Sequence, residues 1–120
     1  VLGSFDHSIL AGDFNIGEEE SESITAALPK HQDVWRALKP GDLGCTWDPE
    51  RNPNIDSHKD RAKSRIDRVM ACVPDALAPM SIALIGTNGV QVSGQDSPVF
   101  ASDHFGLVAH FCVAPTQHGR

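Results

Sequence analysis

Ile9-Leu10-Ala11 form a short apolar run that closes on Gly12-Asp13-Phe14-Asn15, which predicts a strand over His7 to Gly12 with polar residues at its end. Glu18, Glu19, Glu20, Ser21 and Glu22 precede Ile24, Ala27 and Leu28, an apolar side at helical spacing that Pro29 stops. Carboxylates are favoured at the positive end of a helix, so the acidic stretch is expected to form the solvated first turn. A second, shorter helix is predicted from Asp33 to Leu38, with Val34, Trp35 and Leu38 on one side and Pro40-Gly41 as the breaker. Further strands are predicted at Arg65 to Val73, Ser81 to Ile85 and Phe105 to Val113. The last is apolar at nearly every position, the pattern of a strand covered on both faces.

Asp48 to Ser64 follows neither period and is rich in Pro, Asn, Asp, Lys and Arg. Long loops inside compact domains are uncommon and usually functional or disordered, so this one is expected to face a substrate. Strands interleaved with short helices predict an α/β (α+β) layered sandwich.

Composition narrows the class. The 120 residues are 40% hydrophobic and 22% charged, the profile of one globular domain. The chain lacks a Met at position 1 and opens on a strand, so it is expected to be a fragment. No apolar run approaches the roughly 20 residues of a membrane span, and no secretory signal pattern opens the chain. The net charge of −6 argues against bulk electrostatic binding of nucleic acid, while leaving local basic patches open. Cys45, Cys72 and Cys112 are an odd set without a C-x-x-C pair, which fits neither a disulfide framework nor a zinc site. Three free thiols in a reducing compartment follow, so an intracellular location is favoured over a secreted one.

Three polar groups stand beside predicted strands. In Gly12-Asp13-Phe14-Asn15, an acid and an amide two residues apart on a strand share a side and can share a ligand. A carboxylate holds a hard cation or takes a proton, and an amide donates to a phosphoryl oxygen. The structural alternative is an Asx turn. In Arg65-Ile66-Asp67-Arg68, Asp67 shares a face with Val69 and Ala71 and needs a partner, from Arg65, Arg68 or a histidine of another strand. A surface ion pair is the alternative. In Ser102-Asp103-His104 the last two side chains diverge, and a carboxylate-oriented histidine is an acid/base or electrophilic unit. His7, His31, His110 and His118 are read as structural, and His58 is left open.

In this order the three motifs resemble the carboxyl-terminal half of the endonuclease/exonuclease/phosphatase superfamily, metal-dependent phosphodiesterases and phosphatases, over nearly the whole chain. Thr46-Trp47-Asp48, Asn52, Asn54, their spacing to Arg65-Ile66-Asp67-Arg68 and the closing segment Phe100 to Leu107 are most similar to the 5′-tyrosyl-DNA phosphodiesterase branch. That branch carries an Arg shortly after Gly-Asp-x-Asn, where this chain has Ile16-Gly17-Glu18.

The resemblance implies that residues 1–120 are a partial domain, the carboxyl-terminal half of a four-layer α/β/β/α fold. The chain would supply mainly one of two packed sheets and leave an apolar sheet face for the missing amino-terminal half. It implies that Asp13 positions or deprotonates water, Asn15 steadies the phosphoryl group, Asp67 orients His104, and His104 donates to a nonbridging oxygen. Asp103 would meet a Mg²⁺ ion directly or through water, with Asp13 as a further ligand and Mn²⁺ as a substitute metal. Trp47, Asn54, Arg61 and Lys63 are the candidate substrate contacts. Packing under the loop is the alternative for Trp47, and a solvated loop face that for the basic set Arg51, Lys59, Arg61 and Lys63. The family's principal ligand Glu and an Asn, both in the amino-terminal half, have no counterpart here. The isolated chain is therefore expected to be incomplete and inactive.

The implied function is phosphodiester hydrolysis on DNA, including protein-linked 5′ ends. The alternatives are a phosphatase or phosphodiesterase for an inositol phosphate, phospholipid or nucleotide, and an inactive binding module. Retention of Asp67, Asp103 and His104 in one costly cluster argues against the last.

Overall fold

The computed structural model describes residues 6–56 and 58–113, which leaves His118 outside the described residues. The order is β1 (Ser8–Asp13), α1 (Ser21–Ala27), β2 (Gln32–Asp33), α2 (Val34–Leu38), β3 (Asp67–Cys72), β4 (Leu77–Ile85) and β5 (Gly106–Val113). The fold is mixed α/β. Its strands form two antiparallel sheets, β1-β3-β2 and β4-β5. The expectation of mainly one sheet is thus corrected: β1 and β3 pair with each other, while β4 and β5 form a separate ribbon.

β3 is the organising strand. Its burial is nearly continuous over Arg68, Val69, Met70 and Ala71, because both of its edges are paired and both faces are covered. One face carries Asp67, Val69 and Ala71 by strand alternation. Val69 and Ala71 join Val34, Trp35 and Ile82 in the core, with Leu84, Leu107, Ala109 and Phe111 packed around them. The core therefore forms where α2, β3 and the β4-β5 ribbon meet.

The ribbon is covered on one face only. Leu107, Ala109 and Phe111 turn inward, whereas His110, Cys112 and Val113 are exposed. This corrects the reading of Phe105 to Val113 as a strand buried on both sides, since no second layer covers the ribbon's outer face among the described residues. β4 also begins earlier than Ser81. Pro79 lacks an amide for the ladder, and the register shifts between Pro79 and Ser81.

Both helices lie where the apolar spacing places them. α1 ends at Ala27, with Leu28 as its C-cap before Pro29, but its acidic lead is only partly helical: Ser21 opens the helix, Glu22 lies in its first turn and Glu18 lies outside it. α2 is capped by Asp33, whose carboxylate accepts from the Trp35 and Arg36 amides. Trp35 then packs so tightly under the following turn that a side chain at Gly44, where φ is +61°, would clash with its indole.

The described residues of 48–64 form no helix or strand, yet they are held internally. Asp48, Asn52, Asp56 and Asp60 each accept from the amide two residues on, at 2.9 to 3.1 Å. These repeated Asx turns satisfy the backbone without a ladder. The bridge between Trp47 and Ser64 closes the loop at its ends.

Candidate active site

Asp13 and Asp67 face each other as a cross-strand pair at the same end of β1 and β3. His104, in the segment entering β5, completes the group, and ligand atoms of Asp13, Asp67 and His104 lie within 4.8 Å of one another. His104 Nδ1 is 2.8 Å from Asp67 Oδ2. An ionised carboxylate only accepts, so Nδ1 carries the proton and Nε2 is left to a ligand. Burial lowers the His104 pKa, but the bond to Asp67 and the charges of Asp67, Asp13 and Asp103 outweigh it and hold the pKa above its ordinary value of 6.5.

The partner of Asp67 is thus the histidine. Arg65 and Arg68, 3% and 1% exposed, turn away from it to a buried ionic cluster with Asp33 and Glu18, at odds with a surface pair at a strand end. Glu18 also pairs with Arg36. Arg68 donates to the Ile16 and Gly17 carbonyls at 3.1 and 3.2 Å, which secures the chain just beyond Asn15.

Asn15 reaches the site by a route that strand alternation does not supply. It lies beyond β1 at φ +51°, and its amide donates to Asp13 Oδ1 at 2.7 Å. The Asx turn forms, with one Asp13 carboxylate oxygen in it and the other outside it. Asn tolerates this left-handed conformation better than most residues.

Asn15, His104, Trp47, Ile66, Ala62, Ser64 and Asp60 line an open cleft of about 270 Å³. Trp47 is half-buried and meets the His104 ring edge-on, with centroids 5.2 Å apart, while its indole N–H donates to Asp60 at 3.0 Å. It therefore packs and lines the cleft at once.

The other candidates lie apart. Asp103 is outside the Asp13, Asp67 and His104 group, and its carboxylate accepts from Ser102 Oγ at 3.2 Å. Asn54 donates to the Phe100 carbonyl at 3.2 Å, tying the loop to the segment before His104. Lys63 pairs with Glu50 at 2.5 Å, Lys59 pairs with Asp56 at 3.3 Å, and Arg51 stacks over Phe105, so these cations do not form one edge. Arg61 and His58 line a separate hollow with Pro49 and Glu50. His31 bonds Ser8 and His110 bonds Ser81, as structural histidines do, and His7 is exposed. Cys45, Cys72 and Cys112 are free.

Two residues here carried no chemical signal of their own in the sequence. Asn52, 1% exposed, donates to the Ser102 and Asp103 carbonyls at 2.9 and 3.0 Å, and Thr46 is wholly buried between the segments that carry Asp67 and His104. Only their part in the resemblance, through Thr46-Trp47-Asp48 and the Asn52 that follows, pointed to them.

No protein-family profile and no curated protein sequence gives a significant match. Solved structures do. The crystal structure of D. rerio TDP2 complexed with single strand DNA product superposes with a TM-score of 0.67 at 28% identity, over 86% of this chain and 40% of that one. Its fold is that of the 5′-tyrosyl-DNA phosphodiesterase branch of the endonuclease/exonuclease/phosphatase superfamily. Truncated Caenorhabditis elegans TDP2 gives a TM-score of 0.64 at 25% identity, over 88% of this chain and 38% of that one. The chain thus spans about two fifths of the TDP2 structures that it resembles. No helix among the described residues is long and apolar enough to cross a membrane.

Proposed function

We propose that the chain is the carboxyl-terminal part of a phosphodiesterase domain and that the protein containing it hydrolyses phosphodiesters in DNA, with protein-linked 5′ ends as the preferred substrate. The observation that carries this reading is the convergence of Asp13, Asp67 and His104, whose ligand atoms lie within 4.8 Å of one another, with His104 also lining the cleft. A base, a charged donor and a carboxylate that orients it are the groups attack on a phosphodiester needs.

Asp13 retains an oxygen beyond its turn and is exposed, so it can orient or deprotonate a water. His104 lines the cleft and keeps Nε2 outside its bond to Asp67, and a pKa raised above the ordinary value favours the cationic donor that a phosphoryl oxygen gaining charge needs. Asp67 locks the ring orientation. Asn15 adds a neutral donor that does not compete for the proton.

The donor set suits a hard divalent cation. Asp13 and Asp67 each keep one carboxylate oxygen outside the hydrogen bonds they accept, and Asp103 is proposed to serve from outside that group, few enough carboxylates for Mg²⁺, which retains several waters. When bound, Mg²⁺ supplies Lewis-acid neutralisation of the phosphoryl oxygens, and Mn²⁺ can replace it. The remaining ligand, a Glu, is proposed to come from an amino-terminal half outside these residues.

The test compares a tyrosyl-linked oligonucleotide, an abasic duplex and a phosphoinositide as substrates of the full-length protein, with Mg²⁺ and with a chelator. Metal-dependent release of the tyrosyl group is expected. Turnover of the phosphoinositide alone overturns the DNA reading, and no turnover of any substrate overturns the enzyme reading.

A further inference from the structure

We infer that Thr46 is a positioning residue that assembles the Asp67–His104 pair. Asp67 opens β3, and His104, 37 residues away, lies in the segment before β5, a strand of the other sheet, so no shared ladder sets their separation. Thr46 joins them. Its hydroxyl oxygen accepts from the Ile66 amide at 3.2 Å and from the Asp67 amide at 3.1 Å. Its carbonyl accepts from the Phe105 amide at 2.8 Å, one residue beyond His104.

A hydroxyl oxygen has two lone pairs, and here both are matched to consecutive amides. Consecutive amides of an extended strand point to opposite sides, so their meeting on one atom constrains the backbone at the entry to β3. That constraint aims the Asp67 side chain. Thr46 is 0% exposed, so water cannot replace the lost acceptor. Removing it leaves the Ile66 and Asp67 amides, both at least partly buried, without this acceptor, which costs more than a typical hydrogen bond contributes.

The inference rests on the proposed function only in treating the pair as catalytic; the geometric part stands apart from it. Thr46→Val keeps the shape and the carbonyl but loses the acceptor, and Thr46→Ser restores it. The readout is the ¹⁵N signature of the neutral His104 ring in the full-length protein. The unsubstituted protein and Thr46→Ser are expected to hold the Nδ1–H tautomer, and Thr46→Val to shift towards Nε2–H. With bis(p-nitrophenyl) phosphate, Thr46→Val is expected to lower kcat on the order of tenfold to a hundredfold with KM unchanged.

Retention of the Nδ1–H tautomer in Thr46→Val overturns the inference, as does its loss in Thr46→Ser. If Thr46→Val does not fold, hydrogen exchange in the unsubstituted protein decides: protected Ile66 and Asp67 amides support the inference, and freely exchanging ones overturn it. Absence of hydrolysis in the unsubstituted protein counts against the function alone, since the tautomer is read without turnover.

Discussion

His104 is pulled two ways, by burial that favours the neutral ring and by the charges of Asp67, Asp13 and Asp103 that favour the cation. The cation wins. Because the folded pKa is raised, the stabilisation is fully present below the ordinary value of 6.5 and is lost as pH rises through the folded value. Asp67→Asn is expected to flatten that part of the stability profile and to move the alkaline limb of kcat to lower pH. Thermal unfolding across pH 5 to 9 and a kcat profile read the two effects, and an unchanged profile contradicts the pairing. Glu18 behaves with the opposite sign. Burial raises its pKa, but the bonds and charges of Arg36 and Arg65 outweigh this and lower it from 4.5, so its contribution is present above that value and lost as pH falls through the depressed one. Glu18 is 43% exposed along its side chain, so the contribution is screened and stays under about 1 kcal/mol. Glu18→Gln should remove this acid-side slope, as measured by urea unfolding between pH 3 and 6.

At the scale of elements, Asp33 does more than cap α2. One carboxylate takes the Trp35 and Arg36 amides and the guanidinium groups of Arg65 and Arg68. Asp33→Ala leaves two buried cations short of a partner and is expected to cost about 3–5 kcal/mol in urea unfolding, whereas a loss under about 1 kcal/mol makes the cluster incidental. Gly44→Ala forces Trp35 aside and strains a positive φ, with an expected loss of about 1–3 kcal/mol and a shift in Trp fluorescence. Both helices and β1, β3 and β5 were legible because their apolar spacing is local. The early start of β4 was not, since Pro79 interrupts the pattern that reveals a strand. Burial of Arg65 and Arg68 was illegible for another reason: it depends on Asp33 and Glu18, far away in the chain.

At the scale of the whole molecule, the ribbon leaves an open side. Met80, Ile85 and Val113 are 63%, 50% and 70% exposed. If a larger domain completes the fold and the metal site as proposed, residues 1–120 alone should bind a hydrophobic dye and hydrolyse nothing in Mg²⁺. Robust Mg²⁺-dependent hydrolysis by those residues contradicts that proposal. The full-length protein should lose activity on chelation and regain it with Mg²⁺ or Mn²⁺.

Asp13, Asn15, Asp67 and His104 were singled out in the sequence by residue type and a place beside a predicted strand, which are local properties, and by a motif order that resembles a known family. Which of them touch was decided by tertiary structure alone. The cross-strand register set Asp13 against Asp67, and the contact between the two sheets brought His104 to Asp67. The same limit governs Thr46, which is chemically ordinary in the sequence and acquires a role only where the chain brings two distant backbones to its two oxygens. Hydrophobic spacing carries the one-dimensional order of elements, while pairing energies between residues dozens of positions apart exist only once the fold has closed.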